Sequence, residues 1–351
     1  FPTRRSSDLD DISKKIINID KVNYELPKEL KAELRPYQIT GFRWFKNLSY
    51  LGFGGVLADE MGLGKTLQTI TFLSSNEKAL SLIVAPTSLV YNWYKEFKKF
   101  APNMKVGILH SNREEREYIL KNREKYDVLI TTYNLIKRDL DLYKEIEFDY
   151  CILDEAQNIK NPSSQNAKSV KSIKSKNRFA LTGTPIENSL MELWSIFDFI
   201  MPGYLYDEKK FATRYHRRLE EDECLIKDLN RLIKPFILRR YKRDVIKELP
   251  DKIENKVLVT LPKKQKELYD SLLLEIKNKI NNEREKENTI ELFSYLMKLR
   301  QMCLDPSLIL ESYSGNNGKL NVTEEIIEKN INEHKIVIFS QFTSMLKRIE
   351  E

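Results

Sequence analysis

Val56-Leu-Ala-Asp-Glu-Met-Gly-Leu-Gly-Lys-Thr-Leu-Gln-Thr-Ile70 reads as a short apolar strand, a glycine loop and the opening of a helix, in that order. Phosphate binding needs that order. Glycines let backbone N–H groups turn toward an anion, the helix N-terminus adds positive potential, Lys65 reaches the β and γ phosphates, and the Thr66 hydroxyl suits Mg2+. The full phosphate-loop pattern would place a glycine at position 59, where this chain has Asp59. The competing reading is a strand-to-helix turn with a solvated lysine. Against it, glycine is scarce in the chain, 11 of 351 residues, yet Gly52, Gly54, Gly55, Gly62 and Gly64 crowd around this one segment.

Outward from the loop, β-rich runs alternate with helical stretches between about residues 30 and 200. The strands are expected at Gly55–Ala58, Leu82–Ala85, Val106–His110, Val128–Thr132, Tyr150–Leu153 and Arg178–Leu181. Several are apolar throughout, as strands buried on both faces of a parallel sheet must be. The alternation predicts a doubly wound α/β domain whose ligand crevice lies at the carboxyl ends of its strands. Beyond about residue 186 the pattern turns helical, at Ser189–Ile200 and at Lys263–Ile280, where Leu268, Leu272, Leu273, Ile276 and Ile280 recur at helical spacing. Pro235-Phe-Ile-Leu-Arg-Arg-Tyr-Lys-Arg-Asp-Val245, with Leu249-Pro250 after it, reads as a basic connector. Residues 281–289 are polar enough for a loop, and Lys335–Ser340 reads as one more apolar strand before a helix from about Thr343.

A second chemical signal lies at Tyr150-Cys-Ile-Leu-Asp-Glu-Ala-Gln157, an apolar strand ending in two adjacent carboxylates. Alone, such an ending is most simply a solvated turn. Beside a phosphate loop on the same sheet edge it divides into two roles: Asp154 for Mg2+, and Glu155 to orient or deprotonate an attacking water.

Composition sets outer limits. Hydrophobic residues make up 41% and charged residues 32% of the chain, a globular mix with too much apolar content for wholesale disorder. The length accommodates two or three domains. The net charge of +7 leans toward a polyanionic partner without establishing one. Cys151, Cys224 and Cys303 are odd in number and far apart, which argues against a disulfide framework or thiolate zinc site and favours a reducing cytoplasmic setting. No run approaches a membrane span, so no membrane partner is expected. His110, His216 and His334 are isolated and read as surface or packing residues. Phe1–Leu9 lacks periodicity and reads as a non-native leader.

Taken together, these blocks resemble the Swi/Snf-type ATPases of helicase superfamily two, which are built from paired RecA-like lobes. Leu34-Arg-Pro-Tyr-Gln38 with Gly41-Phe-x-Trp44 resembles the family's adenine-side motif, which implies that Gln38 recognises adenine. Asp59-Glu60-Met61-Gly62-Leu63-Gly64-Lys65-Thr66 resembles its motif I, and the family's own variant accounts for the missing glycine. Leu82-Ile-Val-Ala-Pro-Thr-Ser-Leu-Val-x-Asn-Trp93 resembles motif Ia, Asp154-Glu-Ala-Gln157 motif II, and Leu181-Thr-Gly-Thr-Pro-Ile-Glu-Asn188 motif III. Pro235-Phe-Ile-Leu-Arg-Arg240 with Lys242-Arg-Asp-Val245 resembles the segment joining the lobes. Leu299-Arg-Gln-Met-Cys-Leu-Asp-Pro306 resembles a block ahead of lobe two, and Ile336-Val-Ile-Phe-Ser-Gln-Phe-Thr343 resembles motif IV.

The resemblance implies a RecA-like phosphate-loop fold laid out in seven parts. These are a leader at 1–9, a flanking segment at 10–29, an ATP-binding lobe one at 30–188, a helical protrusion at 189–234, a basic connector at 235–262, a second protrusion at 263–315, and the start of lobe two at 316–351. It implies ATP and Mg2+ as cofactors and sequence-independent double-stranded DNA as a partner. The implied function is an ATP-driven duplex translocase that remodels a DNA-bound protein. Motifs V and VI, whose arginines reach the γ phosphate in the family, are not in these residues, so the 351 residues alone are expected to hydrolyse ATP poorly.

Thr87, Ser88, Thr132 and Tyr133 follow strands and suit phosphate positioning without base reading, and the resemblance sets the DNA track there. Tyr133 is the aromatic expected to meet DNA, whereas Trp44, Trp93 and Trp194 read as helix packing. Thr182 and Thr184 of motif III would couple the phosphate state to DNA grip. Between Lys160 and Arg178 lie six basic and no acidic residues, and Lys168, Lys171 and Lys174, at helical spacing, read either as a phosphate track or as a solvated face. Arg239, Arg240, Lys242 and Arg243 read equally as DNA contacts or as joints made through carboxylates. Two rival functions stay open: a strand-separating DNA or RNA helicase, and a non-catalytic DNA-binding scaffold that keeps the nucleotide fold.

Overall fold

The computed structural model describes residues 24–76, 78–183, 190–216, 223–246, 253–282, 289–310 and 312–350. The expected leader, Thr184 and most of the polar stretch at 281–289 lie outside them. The chain divides into two compact units, Phe1–Leu249 and Pro250–Glu351. The division falls within the stretch read as a connector.

The first unit is built on one sheet of seven strands: β1 (Gly55–Leu57), β2 (Ser81–Ala85), β3 (Val106–Ile108), β4 (Val128–Thr132), β5 (Glu147–Leu153), β6 (Lys174–Leu181) and β7 (Ile237–Leu238). The spatial order is β3-β4-β2-β5-β6-β1-β7, and every pairing is parallel. All residues of β1, β2 and β4 are buried, which is why these strands read as unbroken apolar runs rather than alternating ones. The registers Leu57↔Leu181 and Leu153↔Ala180 bring the carboxyl ends of β1, β6 and β5 to one edge.

Helices complete the layers. Pro36 opens α1 (Pro36–Leu51), where its missing N–H costs no helical bond, and Gly52 closes it at φ 75°. α2 (Lys65–Ser74) starts at Gly64, also left-handed at φ 75°. α3 (Val90–Phe100) and α4 (Arg113–Lys121) follow β2 and β3, and Asn112 caps α4 by accepting from the Glu115 N–H at 2.9 Å. α5 (Tyr133–Arg138), α6 (Leu140–Tyr143), α7 (Gln165–Lys171) and α8 (Leu190–Ile200) continue the unit. Phe45 from α1 and Phe72 from α2 stack at 5.1 Å and meet Phe179 of β6 edge-on, which fastens both helices to the sheet beside the loop. α9 (Glu208–Phe211), a π turn at Ala212–His216, α10 (Glu223–Ile233) and α11 (Lys242–Val245) complete it.

In the second unit, α12 (Lys263–Asn282) and α13 (Thr289–Leu304) are followed by α14 (Gly318–Asn330) and α15 (Thr343–Glu350). The buried Gln265 amide ties three of them: it donates to the Met302 carbonyl at 3.0 Å and accepts from the Gly318 N–H at 3.3 Å. Ile276 of the expected apolar stripe is buried and Ile280 is exposed.

Three expectations are corrected. Lys335–Ser340 forms no strand; Val337 and Phe339 are 74% and 90% exposed, and no described strand of that unit is there to pair with them. The start of the expected connector is instead β7, hydrogen-bonded beside β1. Lys168, Lys171 and Lys174 do not share a helix face, because α7 ends at Lys171 and Lys174 opens β6. Lys171 is turned inward to Asp198 at 2.9 Å, and Arg178 is spent on the carbonyls of Ile173 and Phe199.

Candidate active site

The loop after β1 turns twice through left-handed glycines, Gly62 at φ 86° and Gly64 at φ 75°. Residues with a Cβ adopt such angles only at a cost. At Gly64 a Cβ would also stand 2.6 Å from the Gln38 amide nitrogen, so the loop lies closely against α1. Gln38 is buried there, accepting from the Arg35 N–H at 3.0 Å and donating to the Leu63 carbonyl at 3.3 Å. It braces the loop from the side where the resemblance sets adenine.

Asp59 does something the sequence did not disclose. Its carboxylate is fully buried and takes two hydrogen bonds from Arg240, Nε at 2.9 Å and Nη2 at 2.5 Å, and a third from Gln68 at 3.2 Å. Arg240 also bonds the Gln68 amide oxygen at 2.7 Å and the Tyr37 carbonyl. The Asp59 side chain is therefore committed inward, and only its carbonyl faces Lys65, accepting from Nζ at 2.8 Å. Glu60 is held from the same segment, its N–H on the Arg240 carbonyl at 3.0 Å and its carboxylate on the Lys242 N–H at 2.7 Å. Leu63 is buried and Met61 is 61% exposed at the loop's crest.

At the end of β5, Asp154 is 8% exposed. Its Oδ2 accepts from the Trp93 indole at 2.8 Å, its Oδ1 from the Glu155 N–H at 3.0 Å, and its carbonyl from the Tyr133 hydroxyl at 2.7 Å. Burial pushes the Asp154 carboxyl above its usual range, while the Trp93 bond and the Lys65 charge oppose the shift. Glu155 sits at φ 50°, a left-handed conformation uncommon for a residue with a side chain. Its carbonyl is pinned by the Asn158 N–H at 3.0 Å and the Asn158 amide at 2.9 Å, so the turn is held against that strain. From Glu155 a polar relay runs across the sheet edge: Gln157 donates to its carboxylate at 2.8 Å and accepts from Thr182 at 3.3 Å.

The loop and the carboxylates converge. The parallel registers set the ends of β1, β6 and β5 side by side, and burial pushes the Lys65 ammonium below its usual range while the charges of Glu155, Asp59 and Asp154 oppose the shift. Gly183, after β6, closes the third side, since a Cβ there would lie 2.7 Å from Met61 Cγ and 3.4 Å from Lys65 Nζ. The residues present fit a magnesium triphosphate: turned glycines at a ten-residue helix N-terminus, the Lys65 ammonium in reach, and a hydroxyl and an acceptor-only carboxylate for a hard cation. A cavity of about 630 Å³ lined by Glu29, Lys78, Asn103 and Asp127 opens instead at the amino ends of the strands. Its size does not mark the site, because its lining gathers none of this chemistry.

Of the residues expected at DNA, Thr87 and Ser88 are exposed on a short turn after β2. Tyr133 is not, being 4% exposed with its hydroxyl on Asp154, and buried Thr132 caps α5 by accepting from the Leu135 N–H at 3.2 Å. Trp93, read as packing alone, also orients the carboxylate. Trp93, Gly183 and Arg240 lay within quoted motifs and Tyr133 was singled out for DNA, but only the burial and closeness supplied by folding give them their places at this site. Among the described residues no group of three or more His, Cys, Asp or Glu could hold a metal, and no helix is long and apolar enough to cross a membrane.

Known proteins share this chain's sequence pattern and fold. The model of the SNF2-related domain matches residues 37–308. A Mycoplasma genitalium protein described as an uncharacterized ATP-dependent helicase is 36% identical over 344 residues, 95% of this chain and 32% of that protein. An ISWI chromatin-remodeling complex ATPase of Saccharomyces cerevisiae is 35% identical over 352 residues, 93% of this chain and 31% of its own. The Sulfolobus solfataricus SWI2/SNF2 ATPase core, solved in complex with double-stranded DNA, superposes with a TM-score of 0.62 at 41% identity, covering 93% of this chain and 71% of that one. The chain spans about a third of the length of the curated relatives it matches.

Proposed function

The chain belongs to the SNF2-related family of helicase superfamily two, and from that membership we propose that it is the nucleotide-binding part of an ATP-driven motor acting on double-stranded DNA. The observation that carries the proposal is that β1 and β5 both pair with β6 and end at one sheet edge, which sets the Lys65 loop beside Asp154 and Glu155. Lys65 and the loop N–H groups would hold the phosphates, Gln38 would lie beside adenine, and Thr66 and Asp154 would ligate Mg2+. A bound Mg2+ would supply charge neutralisation at the transferring phosphoryl group. Glu155 would orient and deprotonate the attacking water, with Gln157 fixing its carboxylate and Thr182, just after β6, holding the Gln157 amide oxygen in turn.

Thr87 and Ser88 are the exposed hydroxyls that suit a duplex backbone. The Sulfolobus core was solved with double-stranded DNA, which favours duplex tracking over single-strand binding. Remodelling of a DNA-bound protein is the further step, supported by the chromatin-remodeling relative. Cys151 and Cys303 are free thiols, in keeping with a cytoplasmic setting.

The test is ATP hydrolysis by the full-length protein with and without duplex DNA, beside strand displacement of a labelled duplex. Duplex should stimulate hydrolysis without displacement, and Glu155→Gln should bind ATP yet lower turnover by at least about a hundredfold. Strand displacement would favour the helicase reading. Hydrolysis undiminished in Glu155→Gln would remove that residue from its role, and a wild type without turnover would favour the scaffold reading.

A further inference from the structure

The segment after β7 is fastened to the phosphate loop more tightly than a connector requires. Arg240 closes on Asp59 with two bonds, the Arg240 carbonyl takes the Glu60 N–H, and the Lys242 N–H lies on the Glu60 carboxylate. These bonds deliver one more side chain to the loop. A Cβ built on Gly62 would stand 3.2 Å from Lys242 Cε and 3.3 Å from its Nζ. The Lys242 side chain is half-buried, and among the described residues its ammonium has no hydrogen-bond or ion-pair partner. Its charge is felt at Lys65, where it opposes the pull of the carboxylates.

Two ammonium groups near one glycine loop repel each other unless an anion lies between them. A lysine that only solubilised the surface would extend into water, and one that stabilised the fold would pair with an acid. Glu60 is within reach of the segment, yet its carboxylate takes the Lys242 backbone N–H. We infer that Lys242 is a second phosphate-binding cation of this site, supplied from beyond the sheet and held over Gly62 by the Arg240–Asp59 pair. The inference rests on the reading of the loop as a triphosphate site and names a residue that reading did not include. It also gives the segment leading out of the first unit a direct stake in whether nucleotide is bound.

The experiment is equilibrium binding of a fluorescent, non-hydrolysable ATP analogue with Mg2+ to the full-length protein, alongside the melting midpoint of each ligand-free variant. Lys242→Ala should weaken binding about two- to tenfold, Lys242→Glu should weaken it further, and Lys242→Arg should stay near wild type, as expected of a half-exposed charge on an anion. Melting midpoints should not change. Wild-type affinity in Lys242→Ala while Lys65→Ala loses binding would overturn the inference and leave the triphosphate reading standing. Weakened binding with a lowered midpoint, or with Lys242→Arg as weak as Lys242→Ala, would make Lys242 a structural residue and also overturn it. Wild-type affinity in Lys65→Ala would sink the triphosphate reading itself.

Discussion

Asp154 can hold a cation only as a carboxylate, and its surroundings work against that charge. Burial raises its pKa, while the Trp93 indole N–H and the Lys65 ammonium restrain the rise. A folded-state value above the unfolded one means that protonation favours the folded, metal-free protein. As pH falls, Mg2+-dependent nucleotide binding is therefore lost through the raised pKa, earlier than an ordinary aspartate would lose it. Trp93→Phe keeps the packing and removes one bond to the charged form. Titration of Mg2+-dependent affinity against pH should show the midpoint of loss shifted upward in Trp93→Phe; an unchanged or lower midpoint would mean that the indole does not tune Asp154. Motif reading found Asp154 because an acid at the end of an apolar strand is visible in one dimension. It could not find the indole donor, since Trp93 and Asp154 meet only across two strands' worth of folding.

At the scale of elements, β7 shows where reading the sequence ran out. Six strands were legible as β-rich runs between helical stretches, several of them apolar throughout because both faces are buried, and they appear within a few residues of where the sequence put them. β7 is two residues long and is followed by Arg239 and Arg240, so its composition speaks for a solvated connector. Its pairing to β1 is fixed by tertiary contact, as is the burial of the Arg240 guanidinium, whose side chain is 12% exposed against fully buried Asp59. Conversely, Lys335–Ser340 has strand-like composition and no strand beside it, and composition alone cannot supply a partner. The Arg240–Asp59 pair yields a prediction on stability. Arg240→Ala leaves a buried, uncompensated carboxylate and should destabilise the protein by about 3 to 5 kcal/mol in urea unfolding. Arg240→Lys should recover only part of this, because an ammonium cannot match the two-pronged contact. A loss below about 1 kcal/mol would show that the pair does not carry the loop.

Across the whole molecule, the first unit holds the nucleotide chemistry at one sheet edge: the β1 loop, the β5 carboxylates, Gly183 after β6 and the Arg240–Lys242 segment after β7. Four points of the chain far apart in sequence are thus gathered around one volume, and the long-range part of that gathering is what the motifs alone did not convey. A strand, a glycine loop and a later acidic strand end conveyed a phosphate-loop fold, and the resemblance of the ordered motif blocks conveyed the family. The central claim is that this volume takes magnesium triphosphate. Crystals of the protein grown with Mg2+ and a non-hydrolysable ATP analogue test it most directly. The account predicts phosphate density cupped by residues 62–66, with the metal between Thr66 and Asp154; a triphosphate bound elsewhere, with Lys65 and Asp154 contacting neither phosphate nor metal, would contradict it.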